Sequence, residues 1–123
     1  MKVGIDTFSV CPLQMDEFKT LDWIKSHSFA GGLFGVLAAG DLGRAKEILA
    51  HSKKLDVYCD ISTQNCNPHT VKCSFEEHVA EGIRQVEAAA SCGWHELHSS
   101  LGGIDERYCL PVRWTEQLAD AVK

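Results

Sequence analysis

One stretch of the sequence, from Ser74 to Gly103, determines the kind of fold that the chain can adopt. Its first half has apolar residues at spacings of three or four, which places them on one side of an α-helix: Phe75, Val79, Ile83, Val86 and Ala90. Ser74 and Glu77 match a capping box at the start of this helix, and Gly93 suits its end. Residues 94–101 then alternate in polarity, as in a strand. A helix that leads through a tight turn into a strand is half of a βαβ unit.

The same unit repeats along the whole chain. Predicted strands cover residues 2–10, 31–36, 57–62 and 94–101. Predicted helices follow Asp16, Asp41 and Ser74 as N-caps, with a last helix starting at Thr115. The first helix is expected to carry Phe18, Leu21 and Ile24 inward. The second has an apolar stripe formed by Leu42, Ala45, Ile48 and Leu49. Four consecutive βα units within residues 1–123 predict a single α/β domain with a parallel sheet and right-handed crossovers.

Two long, polar loops follow the third and fourth predicted strands. They run from Ser62 to Cys73 and from Gly102 to Trp114. In α/β folds ligands bind at the carboxyl ends of the strands, so these loops are expected to frame a site. The alternative is that they are only solvated connections.

The predicted strands have unlike faces. One face is mostly apolar, while the other carries polar residues: Asp6, Tyr58, Asp60, Glu96 and His98. A doubly wound sheet is covered on both faces and needs nearly continuous apolar strands, which these are not. A barrel with outer helices and a polar centre suits them better. Because a whole barrel takes about 250 residues, the chain is predicted to be a parallel (βα)4 half of a TIM barrel.

Composition excludes several classes of protein. The formal net charge is −5 and the pI is near 5.6, with no cluster of Lys and Arg, so neither nucleic acid nor an anionic membrane is an expected partner. No signal peptide or membrane span is apparent, which favours the cytoplasm. The six cysteines contain no CxxC pair. In a reducing compartment they are expected to be free thiols, and disulfides or a zinc site are the alternatives.

Five segments together resemble one known family. They are KVGIDTFSV at 2–10, LDWIKSHSFAGGLFGV at 21–36, NPH at 67–69, AAASCG at 88–93 and ERY at 106–108. This ordered set resembles the sugar phosphate isomerase/epimerase family, the xylose isomerase-like TIM barrels. The resemblance extends over essentially the whole chain, but only over the first four of the eight βα units of such a barrel.

The resemblance implies an isomerase or epimerase that acts on a sugar or sugar phosphate. It also implies a divalent metal, Mn²⁺, Mg²⁺, Co²⁺ or Zn²⁺, that polarises the substrate while carboxylates or a histidine move protons. Most metal ligands of the family lie on later strands, so no residue of this chain is assigned as one. Activity would require completion of the barrel, either in a homodimer or by a separate C-terminal half.

Candidate site residues follow from the polar strand face and the long loops. Glu96 and His98 are the catalytic candidates, because they share a face that would look into a barrel. The alternative is that this face is partly wet and simply tolerates polar groups. The candidates for substrate binding are Asp6, His69, Arg107 and Trp114.

Each loop candidate has a second interpretation. His69 could complete a metal site with His98 and Asp60, or be solvated. Arg107 could bind a phosphate or pair with Asp105 or Glu106. Trp114, with Phe8, could form an apolar wall for a sugar, or belong to the core.

Two functions without catalysis stay open from the sequence. One is a silent half-barrel that associates with itself through unpaired strand edges. The other is an open four-stranded sheet that serves as a binding module.

Overall fold

Strands and helices alternate along the chain in a computed structural model, which describes residues 2–35, 37, 40–63 and 74–99. The strands are β1 (Ile5–Asp6), β2 (Gly31–Phe34), β3 (Tyr58–Ser62) and β4 (Leu97–His98). The helices are α1 (Glu17–Ser26), α2 (Leu42–Leu55) and α3 (Phe75–Cys92), and a 3₁₀ segment covers Thr7–Leu13. The predicted loops at 64–73 and 102–114 and the predicted last helix lie outside the described residues.

The four strands form one parallel sheet in the order β1-β2-β3-β4. Each strand therefore pairs with the strand that precedes it in the chain. Parallel strands need a crossover between them, and α1, α2 and α3 are these crossovers. The prediction of an α/β chain with a parallel sheet is confirmed for the described residues.

All three helices pack on the same face of the sheet. A single buried cluster combines helix residues, strand residues and Trp94: Leu21, Ile24, Ala45, Ile48, Leu49, Ala89, Phe34, Cys59 and Ile61. The indole N–H of Trp94 donates a hydrogen bond of 2.7 Å to the backbone oxygen of Cys59, which satisfies its one polar group inside the core.

The opposite face, which we call the open face, carries more polar residues. Asp6, Leu33 and Asp60 are paired in register across β1, β2 and β3, so they share this face. His98 is paired in register with Ser62 and belongs to the same face. The predicted contrast between an apolar and a polar strand face therefore holds for the described strands.

Side chains cap the helices at the predicted positions. The carboxylate of Asp16 accepts a hydrogen bond from the Lys19 N–H, and that of Asp41 accepts from Gly43 and Arg44. Ser74 and Glu77 form the predicted capping box. Gly93 ends α3 with φ = 103°, a left-handed conformation that residues with a Cβ rarely adopt.

The first strand is much shorter than the predicted 2–10. Only Ile5–Asp6 pair with β2, and the chain then turns into the 3₁₀ segment. The Asp6 carboxylate caps this segment by accepting a hydrogen bond of 3.0 Å from the Phe8 N–H. Pro12 has no N–H to donate to a strand ladder. The fourth strand is also shorter than predicted, since residues 94–96 precede it as coil.

The apolar residues predicted to share one side of α3 do share it, but this side does not face the core. The exposed fractions of Phe75, Val79, Ile83 and Val86 lie between 41% and 54%, and we call these four residues the α3 stripe. The buried residues of the helix are instead His78, Gln85 and Ala89.

The end of α3 shows what determines this orientation. Its small residues approach α2: a Cβ on Gly93 would lie 3.6 Å from Cδ2 of Leu49, and the Cys92 thiol is 3.8 Å from the Leu42 oxygen. A hydrophobic period shows which residues share a side of a helix, but not which side faces the core.

Glycines let an aromatic ring lie flat on the open face. The ring of Tyr58 covers Gly31 on β2 and Gly4 just before β1, and a Cβ at either glycine would overlap it. No helix in the described ranges has the length and apolar character needed to cross a lipid bilayer.

Candidate functional site

A cavity of about 600 Å³ lies at the carboxyl ends of β1, β2 and β3. It is enclosed by the 3₁₀ segment, the start of α1 and the strand ends, and its described lining is Asp6, Thr7, Phe8, Val10, Cys11, Met15, Glu17, Thr20, Leu33, Phe34, Gly35, Leu37 and Ser62. This is the edge of the sheet at which α/β proteins bind ligands. We take it as the candidate site.

The polar groups of the cavity are held by their neighbours. The Thr7 hydroxyl donates to the Leu33 oxygen at 2.9 Å, and the Thr20 hydroxyl donates to the Asp16 oxygen at 2.8 Å. Asp6 uses one carboxylate oxygen to accept from Phe8. These bonds fix the side chains from both sides of the cavity.

Glu17 is the second carboxylate of the lining. The Arg44 guanidinium on α2 donates to it at 2.5 Å, and this hydrogen bond lowers the pKa of Glu17 below its ordinary value. A carboxyl group with a lowered pKa is ionised at neutral pH. Glu17 therefore brings a negative charge to the cavity. Arg44, which is not part of the described lining, forms an ion pair with it.

One wall of the cavity is apolar and includes an unusually exposed ring. Phe8 is 81% exposed although it is a large aromatic residue, because the 3₁₀ segment turns it away from the core. Leu33, Met15 and Val10 continue the wall. An exposed ring beside polar groups is suited to stack on the carbon face of a polar ligand.

A second polar pair lies beside the cavity on the open face. Nε2 of His98 is 3.6 Å from Oδ2 of Asp60 on the adjacent strand. His98 is also the register partner of Ser62, which lines the cavity. A carboxylate beside an imidazole can orient the ring for proton transfer.

The structure describes only part of the predicted site. Asp6 lines the cavity, and His98 lies beside it next to Asp60. Glu96 is exposed in the coil before β4, and no contact among the described residues joins it to His98. His69, Arg107 and Trp114 lie outside the described residues.

Sequence reasoning missed the contribution of the 3₁₀ segment and of α1. The sequence places Cys11 and Met15 between the first predicted strand and Asp16, and Glu17 and Thr20 in the first predicted helix, and it marks none of them as a site residue. Two signals were present: an aspartate two residues before Phe8, which suits a turn cap, and Pro12 inside the segment. Together they indicate a compact turn where the alternating pattern suggests a strand.

The described residues do not make up a metal site. No three His, Cys, Asp or Glu side chains among them lie close enough together to hold an ion. Asp60 and His98 supply two donors, whereas a catalytic zinc site has three protein ligands.

The described cysteines are free thiols: Cys11, Cys59 and Cys92. Burial raises the pKa of the Cys59 thiol to about 12, so it stays protonated at neutral pH.

The fold and the cavity define an α/β chain with a parallel sheet that is covered by helices on one face and ends in a partly polar, partly apolar pocket. Comparison of the chain with protein-family models, curated proteins and solved structures found no match.

Proposed function

We propose that the chain is the N-terminal half of a xylose isomerase-like (βα)8 barrel, which catalyses a proton or hydride shift on a sugar or polyol once the barrel is complete. The observation that carries this proposal is the strand order, β1-β2-β3-β4, with all the described helices on one face. A doubly wound sheet reverses its order and has helices on both faces. A barrel grows in one direction with its helices outside.

The polar open face supports the same proposal. In a closed barrel this face becomes the interior, and Asp60 and His98 lie on it 3.6 Å apart. We assign His98 as the group that exchanges a proton with the substrate, and Asp60 as the carboxylate that orients its ring. Glu96 stays a candidate for a second acid or base, brought into place when β4 gains its next neighbour.

The cavity supplies groups suited to hold a sugar. The Asp6 carboxylate would accept hydrogen bonds from hydroxyl groups, and the Phe8 ring would stack on the carbon face of the sugar. The divalent metal is part of the proposal through the family resemblance alone. Its ligands would come from outside the described residues, chiefly from the other half of the barrel.

The native mass in solution tests this proposal. Light scattering over a concentration series is expected to give twice 13.6 kDa if two halves close into one barrel. A titration of that dimer with Mn²⁺, Mg²⁺, Co²⁺ or Zn²⁺ is then expected to raise its melting temperature, because a ligand that binds only the folded state stabilises it. A chain that stays monomeric at every concentration would exclude closure by a second copy and leave only a separate C-terminal half to complete the barrel. A dimer that none of the metals stabilises would contradict a metal-dependent enzyme built from two copies.

A second function is favoured by a different observation. The α3 stripe exposes four large apolar side chains on one helix, and such patches mark interaction surfaces. Under this alternative the chain is a catalytically silent module that associates with itself through α3. Its test is the native mass of a variant with a charge in the stripe, which should be monomeric if α3 forms the interface.

A further inference from the structure

The cavity offers a ligand mainly hydrogen-bond acceptors and negative charge. Its described lining includes two carboxylates, Asp6 and Glu17, and the hydroxyl of Ser62. Among the described lining residues there is no Lys, Arg or His. The described part of the lining therefore has more carboxylates than cationic side chains.

The two threonine hydroxyls of the lining already act as donors within the protein. The hydroxyl protons of Thr7 and Thr20 are donated to backbone oxygens, which leaves only lone pairs facing a ligand. The Arg44 guanidinium lies behind the lining and is bound to Glu17. By contrast, Oδ2 of Asp6 accepts no hydrogen bond from the described residues.

We propose that this cavity selects a ligand that is rich in hydrogen-bond donors and carries no negative charge, namely an unphosphorylated sugar or an amino sugar, and that it rejects sugar phosphates. This statement narrows the substrate class of the proposed function and rests on it. Hydroxyl groups donate to the free acceptors, and an ammonium group gains attraction to Asp6 as well. A phosphate dianion would instead be repelled by the Asp6 carboxylate, which forms no ion pair with a described cation.

The test uses three probes that share one ring and differ in a single substituent: glucose, glucosamine and glucose 6-phosphate. Each is titrated into the ¹⁵N-labelled full chain, and the amide shifts of Thr7, Phe8 and Gly35 report binding at the cavity. We expect glucose and glucosamine to shift these amides, with glucosamine the tighter ligand. Glucose 6-phosphate is expected to bind about tenfold more weakly than glucose, or worse.

Charge removal at Asp6 supplies the matched variant. Asp6→Asn keeps a side-chain oxygen that can accept from the Phe8 N–H but removes the charge. This substitution should reduce the affinity advantage of glucosamine over glucose. It should also reduce the affinity loss of glucose 6-phosphate relative to glucose. Glu47→Gln removes one negative charge at an exposed position of α2, and it should change neither of these relative affinities. If Asp6→Asn does not fold, the order of the three affinities measured on the unchanged chain tests the proposal by itself.

The possible failures are distinguishable. If glucose 6-phosphate binds as tightly as glucose or more tightly, the proposal that the cavity rejects negative charge is wrong. The proposed sugar-binding function would then still hold. Shifts with none of the three probes would overturn the ligand class and count against the proposed function as well.

Discussion

At the scale of single residues, the close approach of Tyr58 to two glycines is the tightest constraint in the described sheet. The ring lies across Gly31 and Gly4, which have no Cβ to displace it. At Gly31 a Cβ would meet the Tyr58 backbone oxygen as well as the ring, whereas at Gly4 it would meet chiefly the end of the side chain. A backbone atom cannot move aside as a side-chain terminus can.

A graded series of alanine substitutions tests this contact. Gly31→Ala is expected to lower the free energy of unfolding by about 1–3 kcal/mol, the usual cost of overpacking, and Gly4→Ala by less. Gly35→Ala is the control, because a Cβ there has no atom within 4 Å. Urea denaturation measures all three. Equal stability of the Gly31 and Gly35 variants would show that the ring does not rest on Gly31.

At the scale of elements, side-chain pairs join α1 to α2. Arg44 binds Glu17 and lies 5.4 Å above the centre of the Phe18 ring. Further along the helices, Nε2 of His51 is 2.8 Å from Oδ1 of Asp22. These pairs are partly exposed, so each contributes modestly to stability.

The pair at Glu17 makes part of the stability depend on pH. Its hydrogen bond from Arg44 lowers the pKa of Glu17 below the ordinary 4.5. A group with a lowered folded pKa stabilises the protein above its unfolded pKa and loses that contribution as the pH falls through the folded value. Glu17→Gln is therefore expected to cost less than about 1 kcal/mol at pH 7. The difference from the unchanged chain should shrink on acidification.

Thermal melts from neutral to acid pH measure this difference. Glu47→Gln makes the same chemical change at an exposed position of α2 and should show no such convergence. If the stability difference between Glu17→Gln and the unchanged chain is the same at acid pH as at neutral pH, the lost stability does not come from the ion pair of Glu17 with Arg44.

Sequence predicted the elements better than their orientation. Helix starts at Asp16, Asp41 and Ser74 were predictable because a cap is a local interaction between residues two or three apart. The side of α3 that faces the core was not, since it depends on how Ala89 and Gly93 meet α2. The same limit applies to the site: Asp6 was predictable from the end of a strand, but Glu17 reaches the cavity only through the path of the 3₁₀ segment.

At the scale of the whole molecule, two surfaces compete as the site of association. The free sides of β1 and β4 in the described sheet would close a barrel, whereas the α3 stripe would pair helices. Only the first would bring two open faces together around a shared interior.

A charge in the α3 stripe separates these surfaces. Ile83 is 54% exposed, so Ile83→Glu should change stability by no more than about 0.5 kcal/mol. Under the half-barrel proposal we expect light scattering to give this variant the same native mass as the unchanged chain. Ala80→Glu adds the same charge at an exposed position outside the stripe. If Ile83→Glu becomes monomeric while Ala80→Glu does not, the interface is formed by α3. That result would favour the catalytically silent module.

The strand order also bears on how the chain acquires its structure during synthesis. Each described strand pairs with the strand that precedes it in the chain. When a new strand leaves the ribosome, the strand that it pairs with has therefore already been synthesised. Pairing between neighbouring units also means that no described strand depends on a partner from a distant unit of the chain. A sheet built in this way can lengthen by one unit at a time, and its growing edge is always the part translated last.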